Sequence, residues 1–189
     1  MPIRELAPTE APLVARFYAE APDYWLLAEG ACEPDRQARE FFTDCPPGCD
    51  PTQSHRLGLF LPSGPVAPRA DKSASPPARG EVRGAWGAEP DRLSGVAELS
   101  YGFPDPSDAY LGLMLLGPWA QGSGNGKAFL AHAEALARTR HAPRLYLAVL
   151  DINPRGRAFW EREGFEGTGL TRKDAITGHL IERLVKPLA

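Results

Sequence analysis

Cysteine is scarce in this sequence: Cys32, Cys45 and Cys49 are the only three in 189 residues. An odd thiol count, in a chain long enough to bury its own core, argues against a disulfide framework and for reduced thiols, hence a cytoplasmic protein. Cys45-x3-Cys49 with Cys32 and His55 could supply four zinc ligands. Cys32 and His55 are isolated and unpatterned, however, so no metal is expected. Excess positive charge is also missing. The 21 Lys and Arg residues are outnumbered by 24 Asp and Glu, for a net charge of −3, which leaves no electrostatic case for a nucleic-acid partner. No apolar run approaches the roughly 20 residues of a membrane span, so no membrane partner is expected either. The opening Met1-Pro2-Ile3-Arg4-Glu5 has no signal-peptide core.

What the sequence does hold is an alternation of strand and helix patterns. Ile3–Leu6 reads as a short first strand. Pro8-Thr9-Glu10 opens a helix to about Ala19 with Leu13, Val14 and Phe17 on one face, and Pro22-Asp23-Tyr24-Trp25 breaks it. A second helix is expected over Pro34–Thr43. Further strands are expected at His55–Leu61, Leu93–Tyr101, Tyr110–Leu116, Arg144–Leu150, Gly164–Leu170 and His179–Lys186. Tyr110–Leu116 is nearly all apolar, as a strand covered on both faces must be. Residues 62–91 are rich in Pro, Gly and Ala and show no periodicity. They read as an irregular hairpin insertion without assigned function, a lid over the acceptor site being the sharper alternative and Trp86 its one potential anchor. The expected fold class is α/β (α+β): one domain over 1–189, built on a mixed, mostly antiparallel sheet of about seven strands with helices on both faces.

Gln121-Gly122-Ser123-Gly124-Asn125-Gly126-Lys127 lies between an apolar strand and a helix expected over Ala128–Arg138. A strand feeding a glycine-rich turn and then a helix start is a ready anion site, because the first-turn amides have no partner inside the helix. The spacing decides between phosphate motifs. A P-loop needs four residues between its first glycine and Gly-Lys, then Ser or Thr for magnesium; here the gap is shorter and Ala128 follows Lys127. A dinucleotide fingerprint needs G-x-G-x-x-G, and Gly122, Gly124 and Gly126 are one residue short of it. Gln121, Gly124 and Gly126 do fit Gln/Arg-x-x-Gly-x-Gly/Ala. Downstream, Asn153-Pro154 is a strong helix start and Gly164 a good stop. Asn153, Ala158, Phe159, Gly164 and Phe165 fall loosely, in order, on an Asn…Ala…Phe-Tyr-x-x-x-Gly-Phe pattern.

With both motifs present in order, the sequence resembles the GCN5-related N-acetyltransferases over at least Ser94–Phe165. The resemblance implies a single acetyl-CoA-dependent N-acetyltransferase domain whose fourth and fifth strands run parallel and splay apart to admit the pantetheine arm. Acetyl-CoA would be the cosubstrate and a small-molecule or peptide amine the acceptor, with self-association into a homodimer left open. Gln121, Gly122, Ser123, Gly124, Asn125, Gly126 and Lys127 would hold the pyrophosphate. The main chain of Met114, Leu115 and Leu116 would meet the pantetheine amides, with Leu115 or Leu116, the latter preferred, as backbone oxyanion donor. Asn153 would touch the arm from the far side, although N-capping alone also accounts for it.

An acceptor ammonium must lose a proton before attack. Glu98 is the candidate general base. Strand alternation sets it on one face with Val96 and Ser100, and burial in so apolar a strand would raise its pKa. Asp105 and Asp108 are weaker candidates, placed in a turn that looks exposed. Many relatives carry a tyrosine after the signature phenylalanine to protonate the leaving thiolate. Trp160 stands there, and an indole is no proton source near neutral pH. Trp160 would then pack beside the pantetheine sulfur, leaving Tyr146 or water as the acid. The alternative is a non-catalytic acyl-CoA-binding or sensing module on the same fold.

Overall fold

A computed structural model describes residues 2–62 and 91–188. The bulk of the expected 62–91 insertion, with Trp86, lies outside the described residues. Seven strands form one sheet: β1 (Ile3–Glu5), β2 (His55–Leu61), β3 (Arg92–Tyr101), β4 (Ala109–Leu116), β5 (Arg144–Leu150), β6 (Glu166–Lys173) and β7 (Leu180–Pro187), in the order β1-β2-β3-β4-β5-β7-β6. All neighbours are antiparallel except β4 and β5. Five α-helices complete the described fold: α1 (Ala11–Glu20), α2 (Asp23–Glu29), α3 (Pro34–Thr43), α4 (Asn125–Thr139) and α5 (Pro154–Arg162). No helix among the described residues is long and apolar enough to cross a membrane.

Alternation along the strands sorts the core into two layers. Leu57, Leu59, Ala97, Leu99, Leu145, Leu147 and Val149 face α4, where Phe129, Leu130 and Ala133 are buried. Phe60 and Val96 face the other way, onto Val14, Phe17 and Tyr18 of α1 and Phe41 of α3. Helices therefore cover both faces, as the expected fold class requires.

Three local expectations need correcting. Pro22–Trp25 ends α1, but α2 starts at once at Asp23, because Pro22 at its N-cap and Gly30 in the left-handed region at its C-cap frame a short helix. The first helix begins as a 3₁₀ turn over Pro8–Glu10, where the Glu10 carboxylate caps the Ala7 amide at 3.0 Å. And α4 starts at Asn125 rather than Ala128, with Gly124 as its N-cap at φ 83°. The glycine loop thus runs into the helix's first turn.

β4 and β5 pair only over Ala109–Leu111 with Leu145–Leu147, although β4 continues to Leu116 and β5 to Leu150. Beyond Leu111 the two parallel strands part. As a result β4 is not covered throughout: Ala109 and Leu111 are buried, while Leu113–Leu116 are half-buried along the opening. The parting coincides with a bulge. Glu98 is opposite Leu113 and Leu99 opposite Leu111, so Gly112 is an extra residue on β4. It switches the alternation, for Leu111 packs towards α4 and Leu113 towards α1.

Candidate active site

The opening of the β4–β5 seam leads into a cavity of about 710 Å³ on the α1–α3 side of the sheet. Glu98, Gly112 and Leu113 line it on the β3–β4 side, and Ala148, Ile181 and Arg183 on the β5–β7 side. Tyr18, Tyr24, Trp25 and Phe41 close it from the helices, and Phe103 and Tyr110 stand in edge-to-face contact at 5.2 Å on its lining.

Glu98 is only 6% exposed. Arg56, equally buried on β2, donates to its Oε1 at 3.0 Å, and the Ser100 hydroxyl donates to the same oxygen. The other oxygen lies over Gly112, whose backbone N–H also bonds the carboxylate. A Cβ on Gly112 would run into Oε2, so this position admits no side chain while Glu98 keeps its place. The bulge frees a backbone donor, and the missing Cβ lets the carboxylate reach it. Burial pushes the Glu98 pKa up, and that effect outweighs the lowering by Ser100, Arg56 and Gly112. The apolar-strand expectation for Glu98 therefore holds for burial and for the direction of its pKa. Behind it, Ser100 Oγ lies 2.7 Å from Ser54 Oγ, whose hydroxyl also reaches the Asp50 carbonyl at 3.3 Å.

Asp108 is not exposed as expected. It is fully buried and receives Arg144 Nε at 2.9 Å and Nη2 at 3.0 Å, while Asp105 takes Nη2 at 3.0 Å. Both aspartates therefore tie the turn before β4 to the start of β5. Tyr146 is buried beside Arg144, whose guanidinium lies 5.5 Å from its ring.

The glycine loop lies at the end of β4. The Gln121 side-chain amide donates to the Leu116 carbonyl at 2.9 Å. Asn125 Nδ2 closes the loop by donating to the Ala120 carbonyl and to Ser123 Oγ, each at 2.9 Å. Gly122 and Gly124 have positive φ, and a Cβ on either would meet open space, so backbone conformation rather than crowding selects glycine there. The amide of Ala128 bonds the Gly124 carbonyl at 3.1 Å. The amides of Asn125, Gly126 and Lys127 precede that first helical bond and point out of the helix start. This is a donor set suited to a diphosphate. Gly126 has a second reason to be glycine: its Cβ would be 3.2 Å from the Phe159 ring of α5.

Asn153 caps α5, accepting from the Gly156 amide at 2.8 Å. Trp160 is half-buried, edge-on to Phe159 at 4.8 Å and to Phe165 at 5.5 Å. The cysteines and His55 have separate surroundings. Cys32 points to the Tyr18 carbonyl, Cys45 to the Cys49 carbonyl and His55 to Glu5. Among the described residues no three His, Cys, Asp or Glu side chains converge as a metal site.

Sequence reasoning missed Arg56, Ser100, Gly112, Tyr110, Arg172 and Arg183. Gly112 had a signal, a glycine inside an apolar strand. Ser100 had one too, its place two residues from Glu98 on the same strand face; the others had none, since only the fold brings them to Glu98 or the cavity.

Comparison with known proteins adds to this geometry. The family model described as acetyltransferase (GNAT) family matches residues 36–165. No curated protein sequence matches the chain. Among solved structures, an acetyltransferase from Thermus thermophilus is similar at 23% identity and TM-score 0.63, over 98% of this chain and 96% of that one. The ribosomal-protein-S18-alanine N-acetyltransferase from Escherichia coli is similar at 15% identity and TM-score 0.63, over 100% and 94%. A GCN5-related N-acetyltransferase from Kribbella flavida gives 18% identity and TM-score 0.61, over 98% and 96%.

Proposed function

We propose that this chain, which belongs to the acetyltransferase (GNAT) family, moves an acetyl group from acetyl-CoA directly to a primary amine in a ternary complex. The observation that carries the proposal is Glu98: a buried carboxylate of raised pKa on the wall of a cavity that opens where β4 and β5 part. A base that must take a proton from an ammonium works best with its pKa nearer neutrality, and burial moves Glu98 that way.

The parts divide by requirement. Backbone amides of Gly122–Lys127 and the α4 N-terminus suit the pyrophosphate of acetyl-CoA. Gln121 steadies that loop through its bond to the Leu116 carbonyl. Gly117 donates to Ser94 of β3 at 2.9 Å. Strand alternation then turns Leu115 towards β3, and Met114 and Leu116 towards the opening. Of Leu115 and Leu116, this favours the Leu116 amide as donor to the developing thioester oxyanion, with Met114 on the same side for the pantetheine arm. Asn153 holds the start of α5, and Trp160 supplies apolar packing near that arm. Trp160 offers no acidic proton, so the leaving thiolate takes its proton from water.

The test is thiol release from acetyl-CoA, measured for the protein and for Glu98→Gln against a panel of amines. Amine-stimulated release that drops in the variant supports the proposal. Acetyl-CoA binding without release for any amine overturns it and favours a binding module.

A further inference from the structure

Charge in the cavity is divided between its two sides. Glu98 stands on the β3–β4 side, while Arg183 of β7 and Arg172 of β6 stand on the other. Three of the four carboxylates that line the cavity are engaged by arginine. Glu29 and Glu40 are held by Arg36 at 2.5 and 2.7 Å and Glu98 by Arg56, while Asp44 is exposed to solvent at the rim. Neither Arg172 nor Arg183 has a carboxylate within ion-pair distance among the described residues. Asp174, whose carboxylate feels the Arg172 charge, is occupied by the amides of Ile176 and Thr177 and by the Thr177 hydroxyl. Arg172 is exposed at the cavity mouth, and the half-buried Arg183 packs its guanidinium on the Phe103 ring at 4.8 Å, which leaves the N–H groups of both free to grip a planar or tetrahedral oxyanion.

Their distance from Glu98 is bounded by the sheet. Arg183 is opposite Ala148 of β5, and Glu98 opposite Leu113 of β4. From β3 to β7 is three inter-strand steps, and because β4 and β5 have parted at this level the span exceeds the roughly 14 Å of ordinary spacing, with long side chains reaching inward from both ends. Tyr110 lies between and feels all three charges, Arg183 and Arg172 on one side and Glu98 on the other. The helical wall adds two polar atoms, Tyr18 Oη and Trp25 Nε1, that are buried without a hydrogen-bond partner among the described residues. So the space accepts a small molecule positive at one end and negative at the other.

We infer that the acceptor is an amine that also carries an anionic group, a carboxylate or a phosphonate, with the anion on Arg172 and Arg183 and the amine directed to Glu98. The inference deepens the acetyl-transfer proposal and rests on it for the chemistry, but not for the binding. The ammonium gives one proton to Glu98, the amine nitrogen attacks the thioester carbonyl to form the N–C bond and a tetrahedral oxyanion, and as that oxyanion collapses and the C–S bond breaks, the second nitrogen proton passes through water to the leaving thiolate.

The test uses matched amines in the presence of acetyl-CoA: an amino carboxylate, its methyl ester, and the phosphonate analogue. Binding is followed by calorimetry and turnover by thiol release. The carboxylate or the phosphonate should bind at least about tenfold more tightly than the ester, the scale of a charge-assisted hydrogen-bond pair; which of the two is preferred identifies the anion. In Arg183→Gln and Arg172→Gln that advantage should shrink towards one, chiefly through KM, with Arg183→Lys recovering part of it. Equal binding of ester and acid, or an advantage that survives both glutamine variants, overturns the inference while leaving acetyl transfer standing. Anion-selective binding with no thiol release keeps the inference and instead overturns the proposed activity.

Discussion

Along the β4–β5 seam, the closed end and the open end are built from different materials. At the closed end, Ala109–Leu111 pair with Leu145–Leu147, and the fully buried Asp108 is clamped by Arg144. There a charge is buried, yet every acceptor is met by a fixed partner, so the pair acts as a lock. At the open end, a bulge at Gly112 ends the pairing and turns a backbone amide to Glu98. There a charge is buried with its pKa raised, facing a cavity. Both ends hold a carboxylate with an arginine. What separates them is access: Asp108 has no exposed surface and no place on the cavity wall, whereas Glu98 lies on it.

Substitutions at the open end should abolish chemistry while sparing the fold. Glu98→Gln keeps shape and volume but cannot take a proton, and should lower kcat by about 10²–10⁴ with little change in KM for acetyl-CoA. Steady-state kinetics on the best acceptor checks this, and a kcat within a factor of two of the parent would show that Glu98 is not the base. Gly112→Ala acts on the same carboxylate indirectly. Its new Cβ would run into Oε2, so Glu98 must swing aside, and a displacement of about 1 Å should cost on the order of a hundredfold in kcat. Because the original carboxylate is still present, added free base or higher pH should not restore the rate.

The sequence made the closed end hard to read and the open end easier. Glu98 was legible because one charge inside an apolar strand, on the face of Val96 and Ser100, has few structural uses. The glycine loop was legible because its spacing is a local property. The framing of α2 by Pro22 and Gly30 was not, since a break and a restart carry the same proline signal. Asp108 looked like a turn residue because its partner, Arg144, lies 36 positions away in the chain. Arg56 was hidden likewise, 42 positions before Glu98. A side chain's partner across the sheet follows from strand order, and local periodicity does not encode strand order.

A substitution at the closed end should do the opposite of one at the open end. Asp108→Ala removes the two buried acceptors of Arg144, leaves it only the exposed Asp105, and opens a void between the turn and β5. The melting temperature should fall by roughly 5 °C, a typical response to one buried lesion in a chain of this length, while kcat/KM below the transition stays within about twofold of the parent. Differential scanning calorimetry and kinetics on one preparation measure both. A large loss of activity in a folded Asp108→Ala protein would mean that the two ends are not separate in role.

The smallest effect expected is on the pH dependence of stability, and its sign follows from burial. In the folded chain Glu98 holds its proton to a higher pH than an unfolded glutamate does. Below the ordinary carboxylate pKa both states are protonated, and the group contributes nothing to the slope. As pH rises through the window between the ordinary and the raised value, the unfolded chain loses its proton first, so the folded state binds more protons and stability declines. Above the raised value the slope vanishes and the loss is complete. Glu98→Gln removes the titration, so the variant should gain stability relative to the parent across that window and hold a constant offset beyond it. Urea unfolding midpoints at a series of pH values measure the difference. A difference that runs the other way would mean that the Arg56 pair, rather than burial, governs Glu98.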